Sequence, residues 1–480
     1  MLFVGLLAGA CGDAGTSSNP TPTAAPGPTH NASVTIGRTT AGTFQVMAST
    51  IVEVTWEWWL FQRFPRAQTL LSDMAARHTL IVLDWNEWVP VIPQVDRDPT
   101  SPSAWSFTNL DAIVQPILGM GDHSPDFMIS AAPPWMYDAN HKLTDLAEFA
   151  EYAANLVRYY NGPGIRLRDG TTLRSASPYP IQYWSILNET NLSGTEYIRL
   201  YNVVVPAMRA VDPSLKFVAA EIAYANTQQM RDFMTAFAQG VTAQVDVVGI
   251  HFVPSGWQDS DLKVLSYALD SGPVVRLVYD LLSTNPRLAN VPVWITSYNS
   301  PAWGLTDPRP TSPFYAAWAP YVFSQMGQAG AQSFHHWEFA ANVQFGEIDQ
   351  ETGNTFLSYW VDYWLGRYFS TPPGQELLSL SNQSDPANVE TLAVRRRDGT
   401  VVVMLVDHAV ADPLDNNGKG VPYTITVDVS SLGVFSAAKE LVVDVTTDVA
   451  HGPTERTIPY STRIPVNLNG YGVAFISLMP

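Results

Sequence analysis

The 480-residue sequence contains a single cysteine, Cys11. One thiol forms no intramolecular disulfide and no cysteine-based metal site, so neither can hold this fold together. Basic residues are also few: 26 Lys and Arg against 44 Asp and Glu give a formal net charge of −18. Such a chain lacks the basic face that nucleic acids and anionic membrane surfaces require. These absences favour a soluble secreted protein with a neutral substrate.

Long apolar runs are missing too, because no stretch reaches the ~18 residues of a membrane span. The short apolar run from Met1 to Ala10 ends in Leu7-Ala8-Gly9-Ala10-Cys11, which resembles a bacterial lipobox. We therefore expect residues 1–11 to be a lipoprotein-type signal segment with Cys11 as the lipidated residue. That predicts an extracytoplasmic protein at the cell surface or in the periplasm, in contact with a membrane only through its lipid anchor. An apolar N-terminus without such a role is the alternative.

Residues 12–31 are rich in Ser, Thr, Pro, Ala and Gly, as in Asn19-Pro20-Thr21-Pro22-Thr23, and read as a linker. Residues 32–46 alternate weakly, and can either join the domain that follows or pair with the C-terminal domain. We place a first domain at 32–369 and a second at 370–480.

In the first domain, strand-like and helix-like segments alternate, which is typical of βα units. Eight apolar runs predict strands: Ile51–Trp56, Leu80–Trp85, Asp126–Ala131, Tyr183–Asn188, Leu215–Ala220, Val245–Phe252, Val291–Thr296 and Gln332–Trp337. A doubly wound open sheet would also alternate, but no Gly-rich phosphate loop follows an early strand, and eight units favour closure. The fold class is therefore α/β, a (β/α)8 TIM barrel.

Capping signals place two of the helices between these strands. Thr144 is expected to cap a helix in which Leu146, Phe149, Ala153, Leu156 and Tyr160 recur at helical spacing. Ser193-Gly194-Thr195-Glu196 has the spacing of a capping box and opens a helix to Val211, which Asp212-Pro213 ends.

After Phe369 the pattern changes to period-two segments, following the boundary Thr371-Pro372-Pro373-Gly374. Leu392–Arg396 and Val401–Val406 flank Arg397-Asp398-Gly399, which predicts a hairpin. Three further segments continue the alternation: Tyr423–Val429, Glu440–Val445 and Gly472–Leu478. We predict a C-terminal antiparallel β-sandwich that packs on the barrel and carries no chemistry of its own.

Two of the predicted barrel strands end in polar side chains that could take part in catalysis. Asn188-Glu189 closes the fourth predicted strand and Ser297 follows the seventh. The carboxyl ends of barrel strands form the face where such enzymes keep their active sites. Retaining glycosidases need two carboxyl groups about 5–5.5 Å apart, and Glu189 is well placed as the acid/base. The chain also has 15 Trp, 20 Tyr and 20 Phe, which in barrel loops stack on sugar rings.

From Phe107 to Phe369 the sequence resembles clan A glycoside hydrolases, especially family 39, which contains β-xylosidases and α-L-iduronidase. Several stretches carry the resemblance in order: Phe107-Thr108-Asn109-Leu110-Asp111, Phe127-Met128-Ile129-Ser130, Pro134-Trp135-Met136, Tyr183 to Asn191, Asp212 to Phe217, Asp246 to His251, and Trp294 to Ser300. The ordered series is specific, although each stretch alone is not.

The resemblance implies roles for individual residues. Glu189 matches the acid/base, and Asn188 matches the amide that bonds the sugar 2-hydroxyl. Trp337 matches an aromatic floor of the sugar subsite, and His251 a substrate-binding histidine, although a hydrogen-bonded core histidine fits its spacing as well. Trp135 and Tyr298 complete the expected substrate-binding set.

The sequence also departs from the family pattern around one centre. The nucleophile position is occupied by Ser297, and an unassisted serine hydroxyl is a poor nucleophile. Leu187 and Thr190 replace the usual Trp and Pro beside Asn-Glu. Phe252 and Val253 carry no hydroxyl where a family tyrosine would bond the nucleophile. Such a group of departures favours natural divergence, with an engineered change to serine, as in a glycosynthase, as the alternative.

Other carboxylates are therefore candidates for the second catalytic role. Glu338 after the eighth strand is the first choice, followed by Glu221, Glu57 and Glu87 near other strand ends. An inverting base would lie ~6.5–9.5 Å from the acid. The pair His335-His336 predicts no metal site, because adjacent strand residues point to opposite faces. No cofactor is expected.

These observations predict a protein that hydrolyses O-glycosidic bonds of an oligo- or polysaccharide, with Glu189 as general acid/base and an altered second catalytic group. One alternative is a non-catalytic carbohydrate-binding protein that keeps the cleft. Another is a structural component of a surface glycan-uptake assembly. The sequence leaves the sugar, the linkage and the stereochemical outcome open.

Overall fold

The computed structural model describes residues 29–480 except 75, 85–90, 121–123, 141, 224–226, 304–306 and 371–373, and it describes no side chains at 301–303. The expected lipidation residue Cys11, nearly all of the expected linker and the candidate Glu87 lie outside the described residues. Within the described residues, no helix is both long enough and apolar enough to span a bilayer.

Eight parallel strands close into a barrel, and the predicted fold class is confirmed. The first strand of the chain, β1 (His30–Phe44), lies outside the barrel. The barrel strands are β2 (Met47–Glu53), β3 (Leu80–Leu83), β4 (Asp126–Ile129), β5 (Tyr183–Ile186), β6 (Lys216–Ile222), β7 (Val247–Phe252), β8 (Val293–Tyr298) and β9 (Ser333–His336). Their order around the ring follows the chain, and β9 pairs with β2 to close it.

The barrel interior is filled by side chains that alternate along the strands. Ile51, Leu80, Val82 and Met128 form one inner cluster, and Trp337 packs against it. Tyr183, Val218, Val247 and Trp294 form another. The residues that alternate with them, such as Val52, Ile81 and Phe127, face outward and pack against the helices in the main core. The strands therefore read as continuous apolar runs because both faces are buried.

The helices lie between the strands, and their bounds follow local capping chemistry. They are α1 (Val54–Glu57), α2 (Leu60–Arg63), α3 (Pro65–Asp73), α4 (Thr108–Gly119), α5 (Leu146–Tyr160), α6 (Gly194–Val211), α7 (Gln228–Gly240), α8 (Asp261–Leu269), α9 (Ser271–Ser283), α10 (Pro313–Gln328) and α11 (Leu357–Phe369).

The capping box that opens α6 is confirmed, with Ser193 and Glu196 bonding each other's backbone N–H, and Asp212 ends the helix. The expected cap of α5 needs correction. Asp145 caps that helix, and its carboxylate accepts from the N–H groups of Ala147 and Glu148. Thr144 instead bonds the carbonyl of Met136.

The first barrel strand lies earlier in the chain than expected. The predicted run Ile51–Trp56 is observed as Met47–Glu53, and residues 54–57 form the helical turn α1. The carboxylate of Glu57 closes this turn by accepting from the N–H of Glu53 at 2.6 Å. Glu53 is therefore the last residue of a strand and not its middle.

The C-terminal region forms one curled sheet of nine strands. Its strands after β1 are β10 (Gln375–Ser381), β11 (Val389–Arg395), β12 (Val401–Asp407), β13 (Tyr423–Asp428), β14 (Ala437–Val443), β15 (Arg456–Ile458), β16 (Arg463–Leu468) and β17 (Gly472–Met479). The sheet order is β15-β14-β17-β12-β11-β10-β1-β13-β16. The hairpin expected at Arg397-Asp398-Gly399 joins β11 to β12, with Gly399 at φ +86°.

The sheet encloses its own apolar core, so the expected sandwich is one sheet folded over on itself. Strand β1 is an interior strand of this sheet, antiparallel to β10 on one side and parallel to β13 on the other. Residues 30–44 therefore belong to the C-terminal sheet, although the expected linker ended at residue 31 and the expected barrel domain began at residue 32. Burial of Val34 and Ile36 in the sheet core accounts for this placement.

The sheet is attached to the barrel through buried polar contacts as well as an apolar face. Asp261, at the start of α8, accepts from the N–H groups of Asn417 at 2.8 Å and Gly418 at 2.7 Å. Arg309 lies 3.6 Å from the same carboxylate, and both side chains are fully buried. The barrel and the sheet therefore form one continuous structure.

Candidate active site

Near the ends of two barrel strands, non-glycine residues have backbone conformations that such residues rarely adopt. Leu187 and Glu189 have positive φ angles of 62° and 41°, and Ala220 and Glu221 have 81° and 45°. Each such residue costs on the order of 1–3 kcal/mol, and this strain tends to concentrate at functional sites. The turns direct Asn188 and Glu189 into the mouth of the barrel, where a backbone bond from Glu189 to the carbonyl of Glu221 joins the two strand ends.

Glu189 contacts a buried histidine on the other side of this turn. His251 Nδ1 lies 2.7 Å from Glu189 Oε1, and His251 Nε2 lies 3.4 Å from Glu221 Oε2. The imidazole is 4% exposed and Glu221 is fully buried, whereas the Glu189 side chain is 41% exposed. His251 thus bridges one carboxylate open to the cleft and one beneath it.

This bridge sets the protonation of the three groups. Burial alone lowers the pKa of His251, but its hydrogen bond to Glu189, its close contact with Glu221 and the negative charges of both carboxylates raise it to about 9. Burial raises the pKa of Glu189, yet the hydrogen bond from His251 and its positive charge outweigh burial and leave that pKa below its usual range. At neutral pH the site therefore holds an imidazolium beside an ionised Glu189.

A polar network inside the barrel supports Glu221. Ser185 donates to Glu221 Oε1 at 2.9 Å, and Thr296 donates to Glu221 Oε2. A Cβ at Gly249 would come within 2.5 Å of Glu221 Oε2, so the carboxylate occupies the space that glycine leaves open. Burial and the charge of Glu221 raise the pKa of Asp126 well above its usual range. Glu221 is therefore a structural support of His251 and not a group open to substrate.

Ser297 lies beside this centre. In the pairing of β7 with β8 it is the register partner of His251, after an irregularity between Ile295 and Ser297. Its side chain is 8% exposed. The structure thus brings Glu189, His251 and Ser297 to the same end of the barrel.

The same irregularity directs Tyr298 away from the cleft. Tyr298 was expected to bind substrate, but it is fully buried, donates to Asp362 Oδ1 at 2.7 Å and packs against Trp318 of α10. Thr296 faces the barrel interior like Trp294, and the extra residue in β8 then turns Tyr298 toward the helices. That expectation for Tyr298 is corrected.

Three other expected substrate-binding residues lie at the carboxyl ends of strands. Trp337 follows β9, joined by a cis peptide bond to Glu338, and is half-buried with its ring centroid 4.7 Å from that of Phe345. Trp135 lies in the turn Pro134–Met136 after β4 and is also half-buried. Asn188 has a buried side-chain oxygen that bonds no described residue.

The first barrel strand ends in Glu53, a carboxyl group that the sequence did not mark as a candidate. Glu53 is the half-buried last residue of β2, and the indole N–H of Trp337 donates to its Oε1 at 2.9 Å. Burial, then the charges of Asp84 and Glu189, raise the pKa of Glu53 to about 7. In the sequence Glu53 is an isolated Glu within an apolar run, and a strand predicted to end at Trp56 puts it inside the strand and not at its carboxyl end.

The other candidate carboxylates lie deeper. Glu57 is fully buried, and it accepts from the N–H groups of Glu53 and of Ala340, the latter at 2.8 Å. Glu338 is 8% exposed and its Oε2 bonds no described residue. Burial, followed by the charges of Glu53 and Glu57, raises the pKa of Glu338 well above its usual range.

The two adjacent histidines of β9 point in opposite directions, as expected. His335 faces the barrel interior, with Nε2 2.7 Å from the carbonyl of His78. His336 faces α11, where it lies with Glu347 and Asp362 in a cluster whose ligand atoms are within 4.8 Å of one another. Both nitrogens of His336 are hydrogen-bonded, to Asp362 and to the Phe345 carbonyl.

Two family models match the chain. Residues 182–371 match glycosyl hydrolases family 39, and residues 84–252 match the alpha-L-arabinofuranosidase 1 domain. Both matches overlap the strand ends that carry Asn188, Glu189 and His251. A comparison with curated proteins gives no match.

Solved structures of glycosidases share the fold over nearly the whole chain. An α-L-arabinofuranosidase from Thermotoga maritima, in complex with arabinose, aligns with a TM-score of 0.67 at 12% identity, covering 93% of this chain and 99% of that one. A family 39 β-xylosidase from Caulobacter crescentus aligns with a TM-score of 0.62 at 15% identity, covering 94% and 100%. The expected resemblance to clan A glycoside hydrolases is confirmed.

Proposed function

We propose that this protein hydrolyses O-glycosidic bonds of an oligo- or polysaccharide, with Glu189 as a general acid/base residue. The observation that carries the proposal is the exposed carboxylate of Glu189 at a strained strand end, bonded at 2.7 Å to buried His251. The protein thus fixes one oxygen of this carboxylate, while the side chain keeps exposed surface that a substrate can contact. The clan A resemblance supports glycoside hydrolysis as the reaction at this cleft.

Partly exposed aromatic residues at or after the carboxyl ends of barrel strands support a sugar as the substrate. Trp337 and Trp135 are half-buried, Trp56 beside Glu53 is 54% exposed, and Trp257 after β7 is 44% exposed. Indole faces that border a cleft offer apolar platforms for sugar rings, and their edges offer hydrogen-bond donors. The net charge of −18 fits a neutral glycan better than an acidic one.

The test is hydrolysis of a panel of aryl glycosides by the wild type, Glu189→Gln and Ser297→Ala. α-L-Arabinofuranosides and β-D-xylosides come first, because similar structures bear those activities in their names. We expect at least one substrate to be cleaved, with a loss of about 10²–10⁴-fold in Glu189→Gln. We expect Ser297→Ala to stay within a few-fold of the wild type. A wild type that cleaves nothing on the panel would refute hydrolysis.

A second candidate function is carbohydrate binding without catalysis. It is favoured by one observation, the serine at position 297, which offers no carboxylate beside His251. Calorimetry with plant and microbial glycans tests it. Binding that Trp337→Ala weakens and Trp337→Phe retains, together with no hydrolysis even by Ser297→Glu, would support this function instead.

A further inference from the structure

Hydrolysis as proposed requires a second carboxyl group across the cleft from Glu189, because residue 297 is a serine. Two acidic residues near the strand ends are committed elsewhere. Both oxygens of Glu57 accept backbone N–H groups, and Glu221 is fixed by Ser185 and Thr296 beneath His251. Neither has any exposed surface through which to reach a substrate.

Glu53 differs from these groups in its position and its exposure. It ends the first barrel strand, three strands around the closed ring from the strand that carries Glu189. The same number of strands separates Glu189 from position 297 on the other side of the ring. Glu53 is also half-buried, whereas Glu338 is 8% exposed. Glu53 and Glu189 are therefore carboxyl groups three strands apart at one end of the barrel, the same spacing as Glu189 and position 297, and both retain solvent-accessible surface.

Electrostatic coupling gives a second measure of proximity, since the interaction of charges falls with distance. The charge of Glu189 contributes to the raised pKa of Glu53. For Glu338 the contributing charges are Glu53 and Glu57, and Glu189 is not among them. Of the two candidates, Glu53 is the one that Glu189 influences.

We propose that Glu53 is the second catalytic carboxyl group, donating a proton to the glycosidic oxygen while Glu189 activates the attacking water. This assignment rests on the proposed function and specifies which group performs each proton transfer. The indole N–H of Trp337, 2.9 Å from Glu53 Oε1, fixes the orientation of the carboxyl group, and Trp56 also hydrogen-bonds it.

The charges around the two groups favour this division. Glu53 faces Asp84, Glu189 and the neighbouring Glu57 and Glu338, and no described cation contributes to its pKa, which is raised to about 7. Glu189 faces the imidazolium of His251, which lowers its pKa. Two carboxyl groups whose surroundings separate their pKa values in this way match the roles of an acid and a base.

The reaction then balances without another reactant. Glu189 accepts a proton from water while the water oxygen bonds to the anomeric carbon. The bond from that carbon to the glycosidic oxygen breaks, and the oxygen keeps the electron pair and takes the proton of Glu53. The anomeric configuration inverts. Exchange of one proton with solvent restores a protonated Glu53 and an ionised Glu189.

The experiment compares Glu53→Gln, Glu338→Gln and the wild type on glycosides with good and poor leaving groups. A dinitrophenolate leaves without protonation, whereas an alkoxide or a second sugar needs an acid. We expect Glu53→Gln to lose about 10²–10⁴-fold in kcat/KM on a disaccharide and less than about 10-fold on the dinitrophenyl glycoside. NMR of the first-formed product should show inversion, and Glu53→Gln should lose the alkaline limb of the pH profile near pH 7.

The outcomes separate this assignment from the proposed function. An active wild type that retains the anomeric configuration, or a leaving-group dependence found in Glu338→Gln and not in Glu53→Gln, would overturn the role of Glu53 alone. A wild type inactive on every substrate would overturn both. If Glu53→Gln does not fold by circular dichroism, Glu53→Asp serves instead. It keeps the acid one methylene further back and should show the same leaving-group dependence with a smaller loss.

Discussion

The charge state of His251 is the most direct test of how the site is organised. Glu221→Gln keeps the size of the buried side chain and removes one of the two negative charges that His251 contacts. In the wild type, Glu189 and Glu221 together raise the pKa of His251 to about 9, against the effect of burial. With one carboxylate removed and burial unchanged, we expect that pKa to fall.

The size of the change follows from the two contacts. The difference between about 9 and the ordinary value of 6.5 corresponds to about 3 kcal/mol, at about 1.4 kcal/mol for each pKa unit. Each carboxylate supplies a substantial share, so Glu221→Gln should lower the pKa of His251 by at least about 1 unit. Glu189→Gln should lower it more, because the Glu189 contact is 2.7 Å and the Glu221 contact is 3.4 Å.

The measurement is a pH titration of the nitrogen-15 signals of the imidazole, assigned by their loss in His251→Asn. Ser297→Ala, an uncharged change beside His251, is the matched control and should leave the pKa near that of the wild type. A pKa that stays at about 9 in Glu221→Gln, or that falls further there than in Glu189→Gln, would refute the bridge between the two carboxylates.

The same group predicts a pH dependence of folding stability. Because the folded pKa of about 9 lies above the unfolded value near 6.5, this stabilisation is complete below pH 6.5 and is lost as the pH rises through 9. Between these values the difference in unfolding free energy between the wild type and His251→Asn should shrink by about 3 kcal/mol in denaturant titrations. A constant difference would contradict the assignment of His251 as a cation.

Two further predictions concern buried carboxylates. Burial raises the pKa of Glu338, so this group opposes folding once the unfolded chain ionises. Glu338→Gln should therefore gain stability over the wild type at pH 8 relative to pH 4, in denaturant titrations at both pH values. Asp261→Ala should destabilise the protein by about 2–5 kcal/mol, since it leaves the N–H groups of Asn417 and Gly418 without a partner, while Arg309 keeps its ion pair with Asp307. Its neighbour Leu262, 49% exposed, is the control, and Leu262→Ala should stay within about 0.5 kcal/mol. Equal losses at 261 and 262 would contradict this anchoring role.

The eight barrel strands were predictable because strands buried on both faces must be apolar along their length. Capping residues such as Ser193 and turn residues such as Gly399 act over a few positions, so their effects were also visible in the sequence. Errors arose where a longer-range contact decides the local structure. The first strand ends at Glu53 because Glu57 bonds back to its N–H and Thr55 bonds the Asp84 carbonyl, which belongs to another βα unit.

For the same reason, the candidate site could be predicted only in part from the sequence. Glu189, His251 and Ser297 follow apolar runs, and closure of the barrel is enough to bring them to one end. Tyr298 does not point into the cleft as expected, because one extra residue in β8 reverses the direction of every side chain after it. The bridge from Glu189 through His251 to Glu221 depends on three strands in register, which the sequence does not display.

By itself, the sequence determined the barrel class, the C-terminal sheet and the position of Glu189 at the end of a barrel strand. These features depend on periodicity and on local strand and turn chemistry. Only the tertiary structure decided that β1 belongs to the C-terminal sheet, since its weak alternation suits either domain and the partners that bury Val34 and Ile36 lie more than 300 residues away. Only the tertiary structure, likewise, placed Glu53 at the carboxyl end of a strand three positions around the ring from that of Glu189. Charge, burial and hydrogen bonding at a site depend on neighbours in space, and those neighbours come from strands far apart in the chain.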